Sequence, residues 1–260
     1  RSKYLYAKLL TELRTMLKNT LYGALYCAVI AIFAVMPTAV NAQDQMNEDN
    51  PVIDRSAIPD SGDSVNDFVP KGWKIEEDVK GDLNGDGIAD HALKLIEDKV
   101  AESEDTMNDR SRALVLVFAD KGGMLTKAAV TDKLLQCTAC GGAFYGVSDA
   151  PAVVTIEKGV LVVNQDHGSR WVTDVTFRFR YDEQPNMFIL IGFDYAGRDR
   201  GVGDVTTEST NYLTGKRITT VSKGKRETTK TTIVKKMRYS IEEVSAENFE
   251  AEATTRLGLD

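Results

Sequence analysis

Val175-Thr176-Phe177-Arg178-Phe179-Arg180-Tyr181 alternates apolar and polar residues without a break. A period of two places Val175, Phe177, Phe179 and Tyr181 on one face of a strand and leaves Arg178 and Arg180 on a solvated one. The neighbouring segments keep to strand chemistry. Met187 to Phe193 is a continuous apolar run, and Val153-Val154-Thr155-Ile156 and Val160-Leu161-Val162-Val163 flank Glu157-Lys158-Gly159 in a compact hairpin pattern. Ala113-Leu114-Val115-Leu116-Val117-Phe118 reads as a buried strand that turns back at Asp120-Lys121-Gly122-Gly123. Residues 217–222 and 226–235 surround Lys223-Gly224-Lys225 as a further hairpin, rich in threonine and therefore peripheral. Only residues 245–256, with Phe249, Ala253 and Leu257 at helical spacing, predict a helix. The expected fold is mainly β: an antiparallel sheet, sandwich- or meander-like, with a short C-terminal helix, in one domain over 67–260. Val69-Pro70-Lys71-Gly72-Trp73 opens that domain with Trp73 as a packing residue, and 97–112 is expected to be a solvated excursion.

Before those strands lies Asp82-Leu83-Asn84-Gly85-Asp86-Gly87-Ile88-Ala89-Asp90. Oxygen side chains fall at positions 1, 3, 5 and 9 with glycine at position 6, the spacing that wraps a chain around one hard cation. Ca²⁺ takes about six to eight oxygens. Asp82, Asn84, Asp86 and Asp90 supply side-chain oxygens, Ile88 a backbone carbonyl, and water the remainder. Gly87 sits where the chain must turn with positive φ. Three carboxylates around a divalent ion leave about one net negative charge, and without the ion their mutual repulsion is expected to loosen the loop.

An EF-hand needs Glu at position 12, where this chain has Leu93. Closure at position 9 followed by His91-Ala92-Leu93-Lys94-Leu95-Ile96 instead resembles the calcium loops of FG-GAP and VCBS-type repeats, over residues 72–97 alone. A single copy argues against a complete propeller, which needs four or more blades. Cys137-Thr138-Ala139-Cys140-Gly141-Gly142, Gly168-Ser169-Arg170-Trp171 and Asn211-Tyr212-Leu213-Thr214-Gly215-Lys216 are similar to segments of a set of secreted bacterial proteins. That resemblance brings no known activity with it.

The N-terminal end reads as an export signal. A basic region begins at Lys18, the apolar run Leu21 to Met36 follows, and Thr38-Ala39-Val40-Asn41-Ala42 ends it with small residues, so cleavage is expected after Ala42. The apolar run is too short for a membrane span, and residues 1–15, upstream of Met16, are expected to lie outside the translated product. Residues 43–66 lack apolar periodicity and read as a disordered linker. Without 1–42 the chain carries 27 basic and 38 acidic residues. That excess disfavours general binding to nucleic acid or to anionic membranes. The product is expected to be exported, periplasmic or extracellular, with no membrane span in its mature part.

Three further groups carry chemistry. Cys137 and Cys140 in an exported chain are expected to be oxidised to each other. Thiol-disulfide exchange would need that pair at a helix N-terminus within a βαβ unit, and zinc would need His91 and His167 as added ligands. Asp166-His167-Gly168-Ser169 holds the residue types of a hydrolytic triad, yet sequence neighbours point apart, so the segment reads as a turn. Ser169, Arg170 and Trp171 offer a surface recognition patch, with ordinary core packing of Trp171 as the competing reading. No residue is assigned a catalytic role. The expected function is a non-catalytic exported module with one structural Ca²⁺ and a protein or glycan partner. The alternative is a secreted hydrolase with calcium as a structural ion.

Overall fold

A computed structural model describes residues 53–99 and 109–259; residues 1–42, read above as an export signal, and residues 43–52 lie outside the described residues. The chain builds two antiparallel sheets. The first contains β1 (Ser61–Gly62), β2 (Trp73–Gly81), β3 (Asp90–Glu97), β4 (Arg112–Ala119) and β5 (Leu125–Thr131), in the order β1-β5-β4-β3-β2. The second contains β6 (Ala152–Glu157), β7 (Val160–Gly168), β8 (Trp171–Asp182), β9 (Met187–Asp199), β10 (Asp204–Asn211), β11 (Lys216–Lys223) and β12 (Arg226–Ile233), side by side in sequence order. From β2 onward every strand pairs with its chain neighbour within its sheet, so both sheets are meanders. The mainly β expectation holds.

The alternating strand behaves as its period demands. Val175, Phe177 and Phe179 are buried, Tyr181 is half-buried, and Arg178 and Arg180 face away. These side chains meet Leu114 and Leu116 of β4 and Leu161 and Val163 of β7 in one core between the sheets. The helix α1 (Ala246–Leu257) closes part of this core, with Phe249 edge-on to Phe177 and Phe193 and with Ala253 fully buried. It starts at Ser245, whose hydroxyl accepts the Asn248 N–H, and stops at Gly258 in the left-handed conformation. Lys158 (φ 51°) and Gly159 (φ 78°) close the two-residue β6–β7 turn, where both central residues need positive φ.

Residues 53–66 correct the expectation of a disordered linker. They lie on the far face of the first sheet, where Ile53, Ile58 and Phe68 are buried against Leu93, Leu95, Val115 and Val117. Burying a side chain such as Phe68 stabilises by about 1.5–3 kcal/mol, so isolated anchors hold a segment that has no regular period. Two short 3-10 turns, Arg55–Ala57 and Val65–Phe68, are capped by Asp54 and Ser64, the latter in a reciprocal box with Asp67. With both faces covered, β3 and β4 read as nearly continuous apolar runs. Trp73 packs against this second core. Residues 100–108 of the expected solvated excursion lie outside the described residues. Its last member, Arg112, is buried instead, with its guanidinium bound to Glu76 at 2.8 and 2.9 Å and to the Gln136 and Ala150 carbonyls.

Candidate functional site: an acidic loop and a three-turn surface

Loop 82–90 joins β2 to β3, and its apolar second residue anchors it: Leu83 is buried in the main core. Gly85 (φ 86°) and Gly87 (φ 83°) carry the turns. Around them the acidic side chains curl inward onto backbone amides. Asp82 accepts the N–H groups of Gly85 at 2.7 Å and Gly87 at 3.0 Å, Asn84 Oδ1 accepts that of Asp86, and Asp86 accepts that of Ile88. Asp90 is fully buried and accepts the Leu83 and Ala119 amides, latching the loop to the end of β4. Burial pushes its carboxyl above the ordinary aspartate value.

The donor chemistry fits a hard cation. Each carboxylate oxygen engaged by one N–H keeps a second lone pair, and the four side chains with the Ile88 carbonyl form an all-oxygen set of the kind Ca²⁺ takes. The amides offset part of the carboxylate repulsion and hold the loop's curl. Among the described residues no three His, Cys, Asp or Glu side chains gather as a metal-binding group, so Asp82, Asp86 and Asp90, turned onto backbone amides, would have to converge on an ion. Calcium, when bound, would supply charge neutralisation and a rigid turn.

The triad residue types of segment 166–169 separate. β7 runs to Gly168, so Asp166 and His167 lie within a strand rather than in a turn, and strand alternation sends them to opposite faces. Asp166 accepts the Tyr145 hydroxyl at 2.5 Å; desolvation and this carboxylate push the Tyr145 phenol up to about 12. His167 turns to Glu250 of α1, 2.8 Å away. Ser169 donates its backbone N–H to the Trp171 carbonyl in the turn.

The Glu250 carboxylate holds the His167 imidazolium above its ordinary 6.5. A base whose pKa is raised by folding stabilises the fold below its unfolded value and loses that contribution as pH rises through the folded one. Unfolding free energy is therefore expected to decline just above pH 6.5, and H167Q is expected to flatten that decline, as urea titrations at several pH values would show.

Cys137 and Cys140 form a disulfide, as expected. It staples a 3-10 segment, Thr138–Phe144, and neither His91, bound to Asp78, nor His167 reaches it. Gln165 of β7 holds this segment through the Leu134 carbonyl and the Gln136 N–H. Beside it lie the β7–β8 turn and the β9–β10 turn. A Cβ placed on Gly142 would sit 2.8 Å from the Gly168 carbonyl oxygen, so the stapled segment rests directly on the first turn. The Arg200 N–H donates to the Arg170 carbonyl at 3.0 Å, and the Arg200 guanidinium stands 4.9 Å from the centre of the Phe144 ring. Arg170 binds buried Asp199 through two hydrogen bonds of 2.9 Å, and that bond holds the Asp199 carboxyl below its ordinary range. Trp171, Phe144 and Val202 remain exposed on this surface, Trp171 by 52 %.

The chain matches no family model, no curated protein and no solved structure.

Ser169, Arg170 and Trp171 were legible as a patch by residue type. Phe144 and Arg200, which complete it, lie 27 positions before and 29 after Trp171, with no local signal to join them. The acidic loop belongs elsewhere: the Asp82 carbonyl lies 3.7 Å from where a Gly159 Cβ would be, at the opposite end of β7. Eight residue steps of strand, roughly 27 Å, separate the two regions. Loop and surface are thus structurally independent, and a bound ion would not itself shape the Trp171 surface.

Proposed function

We propose that this chain is an exported, non-catalytic β-domain, periplasmic or extracellular, whose 82–90 loop holds one structural Ca²⁺ in the FG-GAP/VCBS manner. Its partner, a protein or glycan, docks on the three-turn surface around Trp171. The observation that carries the docking site is the pairing of a half-exposed tryptophan with two arginines and Phe144 on turns fixed by a disulfide and a buried aspartate. Tryptophan and arginine are the side chains most enriched among interface anchors, and rigid turns lower the ordering cost of binding. The described residues contain no helix long and apolar enough to cross a membrane.

Glycan and peptide arrays probed with the native protein and with W171A test this reading. Ligands held by the native protein are expected to bind W171A at least about 10-fold more weakly, while unfolding stability changes by less than about 0.5 kcal/mol. Equal binding by both proteins would contradict the assignment of the surface. Efficient turnover of glycans, peptides or esters, lost in D166A or H167A, would replace it with the secreted-hydrolase reading.

A further inference from the structure

The last hairpin is a chemical outlier. Between residues 216 and 238 the chain has nine Lys and Arg against one Glu, in a protein whose net charge is −7. The hairpin also stands clear of the core. β12 is the free edge of its sheet, and all its residues except half-buried Thr232 are exposed.

Its register sorts the charge by face. Cross-strand partners Lys223↔Arg226, Val221↔Thr228, Thr219↔Lys230 and Arg217↔Thr232 share one side. Ser222↔Glu227, Thr220↔Thr229 and Ile218↔Thr231 share the other, where Glu227 accepts a hydrogen bond from Ser222. The first face is therefore cationic and hydroxyl-bearing, with no acid from either strand. Arg217 is engaged by Glu208, but among the described residues Lys223, Arg226 and Lys230 have no ion-pair partner. Like charges placed directly opposite destabilise a sheet, and Lys223 faces Arg226 beside a turn that adds Lys225. Among the described residues no acid pairs with Lys223 or Arg226 to offset that cost, and Glu208, on this face opposite Thr219, is taken up by Arg217 and Arg256.

We infer that this face of the β11–β12 ribbon is a docking surface for an anionic polysaccharide bearing carboxylates along its length. Charge complementarity selects a polyanion, and three features select its kind. Residues 216–233 contain no aromatic side chain on which a nucleic-acid base could stack. The tip, Ser222-Lys223-Gly224-Lys225-Arg226, has no apolar residue to enter a bilayer. Beyond the tip cluster the cations along β12 are sparse: Arg226 and Lys230 lie four residues apart, roughly 13 Å, whereas each strand of duplex DNA carries one charge per ~3.4 Å. A polymer with one carboxylate per sugar matches that spacing better, and its hydroxyls meet the threonine row between the cations.

The inference is independent of the Trp171 surface and of the calcium loop. Affinity for polygalacturonate, measured at low and at physiological salt beside neutral dextran, duplex DNA and phosphatidylglycerol vesicles, tests it. The native protein is expected to bind polygalacturonate in a salt-sensitive manner and to leave dextran unbound. K223S/R226S/K230S is expected to bind at least ~10-fold more weakly, and K223R/R226K/K230R to keep binding. Because these residues are exposed and Lys223 repels Arg226, the melting temperature should be native or slightly higher in the serine variant and native in the charge-keeping one, so weaker binding would not reflect misfolding. Absence of polygalacturonate binding, equal binding by the serine variant, or tighter binding to DNA or to vesicles at the same salt would overturn the inference.

Discussion

Replacing Gly168 by alanine is expected to lower unfolding free energy by about 3 kcal/mol or more and to dismantle the Trp171 surface. Gly168 has φ 134°, a conformation that residues with a Cβ avoid, and its neighbours leave no room. An alanine Cβ built there would sit 2.0 Å from the Trp171 carbonyl oxygen and 3.0 Å from Val172 Cα. Both contacts are backbone and cannot swing aside. Relief requires moving the turn that presents Arg170 and Trp171, and with it the stapled segment resting on the Gly168 carbonyl. Urea unfolding gives the energy, and Trp171 emission in a W73F background reports the turn. G146A is the control: Gly146 also has positive φ, 61°, but nothing lies within 4 Å of its added Cβ, so only about 1–2 kcal/mol is expected. Equal, small effects from the two substitutions would contradict the geometry of the turn.

Removing the Phe177 ring is expected to be at least as damaging, but without touching the surface chemistry. Phe177 is fully buried, with ring centres of Phe193 at 4.9 Å and Phe249 at 5.9 Å. F177A would leave a cavity where the second sheet, the first sheet's Leu114 and Leu116, and helix α1 converge. Such truncations cost about 3–5 kcal/mol, a large part of the roughly 5–15 kcal/mol that stabilises a domain. For a domain of this size the melting temperature should fall by roughly 10 °C. Amides of α1 should also lose exchange protection, since Phe249 packs on the deleted ring. R180A on the opposite face of the same strand should change stability by no more than about 0.5 kcal/mol. A loss in F177A no larger than in R180A would show that β8 is turned the other way.

The strands were legible because their burial is one-sided or complete, and either pattern survives in the order of residues. The helix was legible for the same reason at a different period, and its Ser245 cap and Gly258 stop are both local. Residues 53–66 were not. Ile53, Ile58, Val65 and Phe68 are single anchors spaced without period among Asp, Ser and Pro, and their partners on β3 and β4 lie tens of residues away. The same non-locality hid Arg112, which is buried only because Glu76 comes with it. In the site, the disulfide and the spacing of the loop's acidic residues and glycines were local patterns, readable in the order of residues. The Trp171 surface was half-readable, since its arginine and tryptophan are adjacent in sequence while Phe144 and Arg200 arrive through pairing of β7, β8 and β9. The cationic face of the ribbon needed register, because sequence order interleaves its lysines with the threonines of both faces.

Whether loop 82–90 holds one calcium ion is decided by thermal unfolding of the protein with and without Ca²⁺, beside a D82A/D86A variant. Mass action stabilises by about 2.7 kcal/mol when free ion is about 100 times the dissociation constant. For a domain of this size that is a rise of roughly 5–10 °C. Such a rise is expected for the native protein, little from Mg²⁺, which demands a tighter octahedral shell, and none in the variant. An unchanged melting temperature across millimolar Ca²⁺, or an equal shift in the variant, would contradict it and leave the loop as a turn held by its own amides.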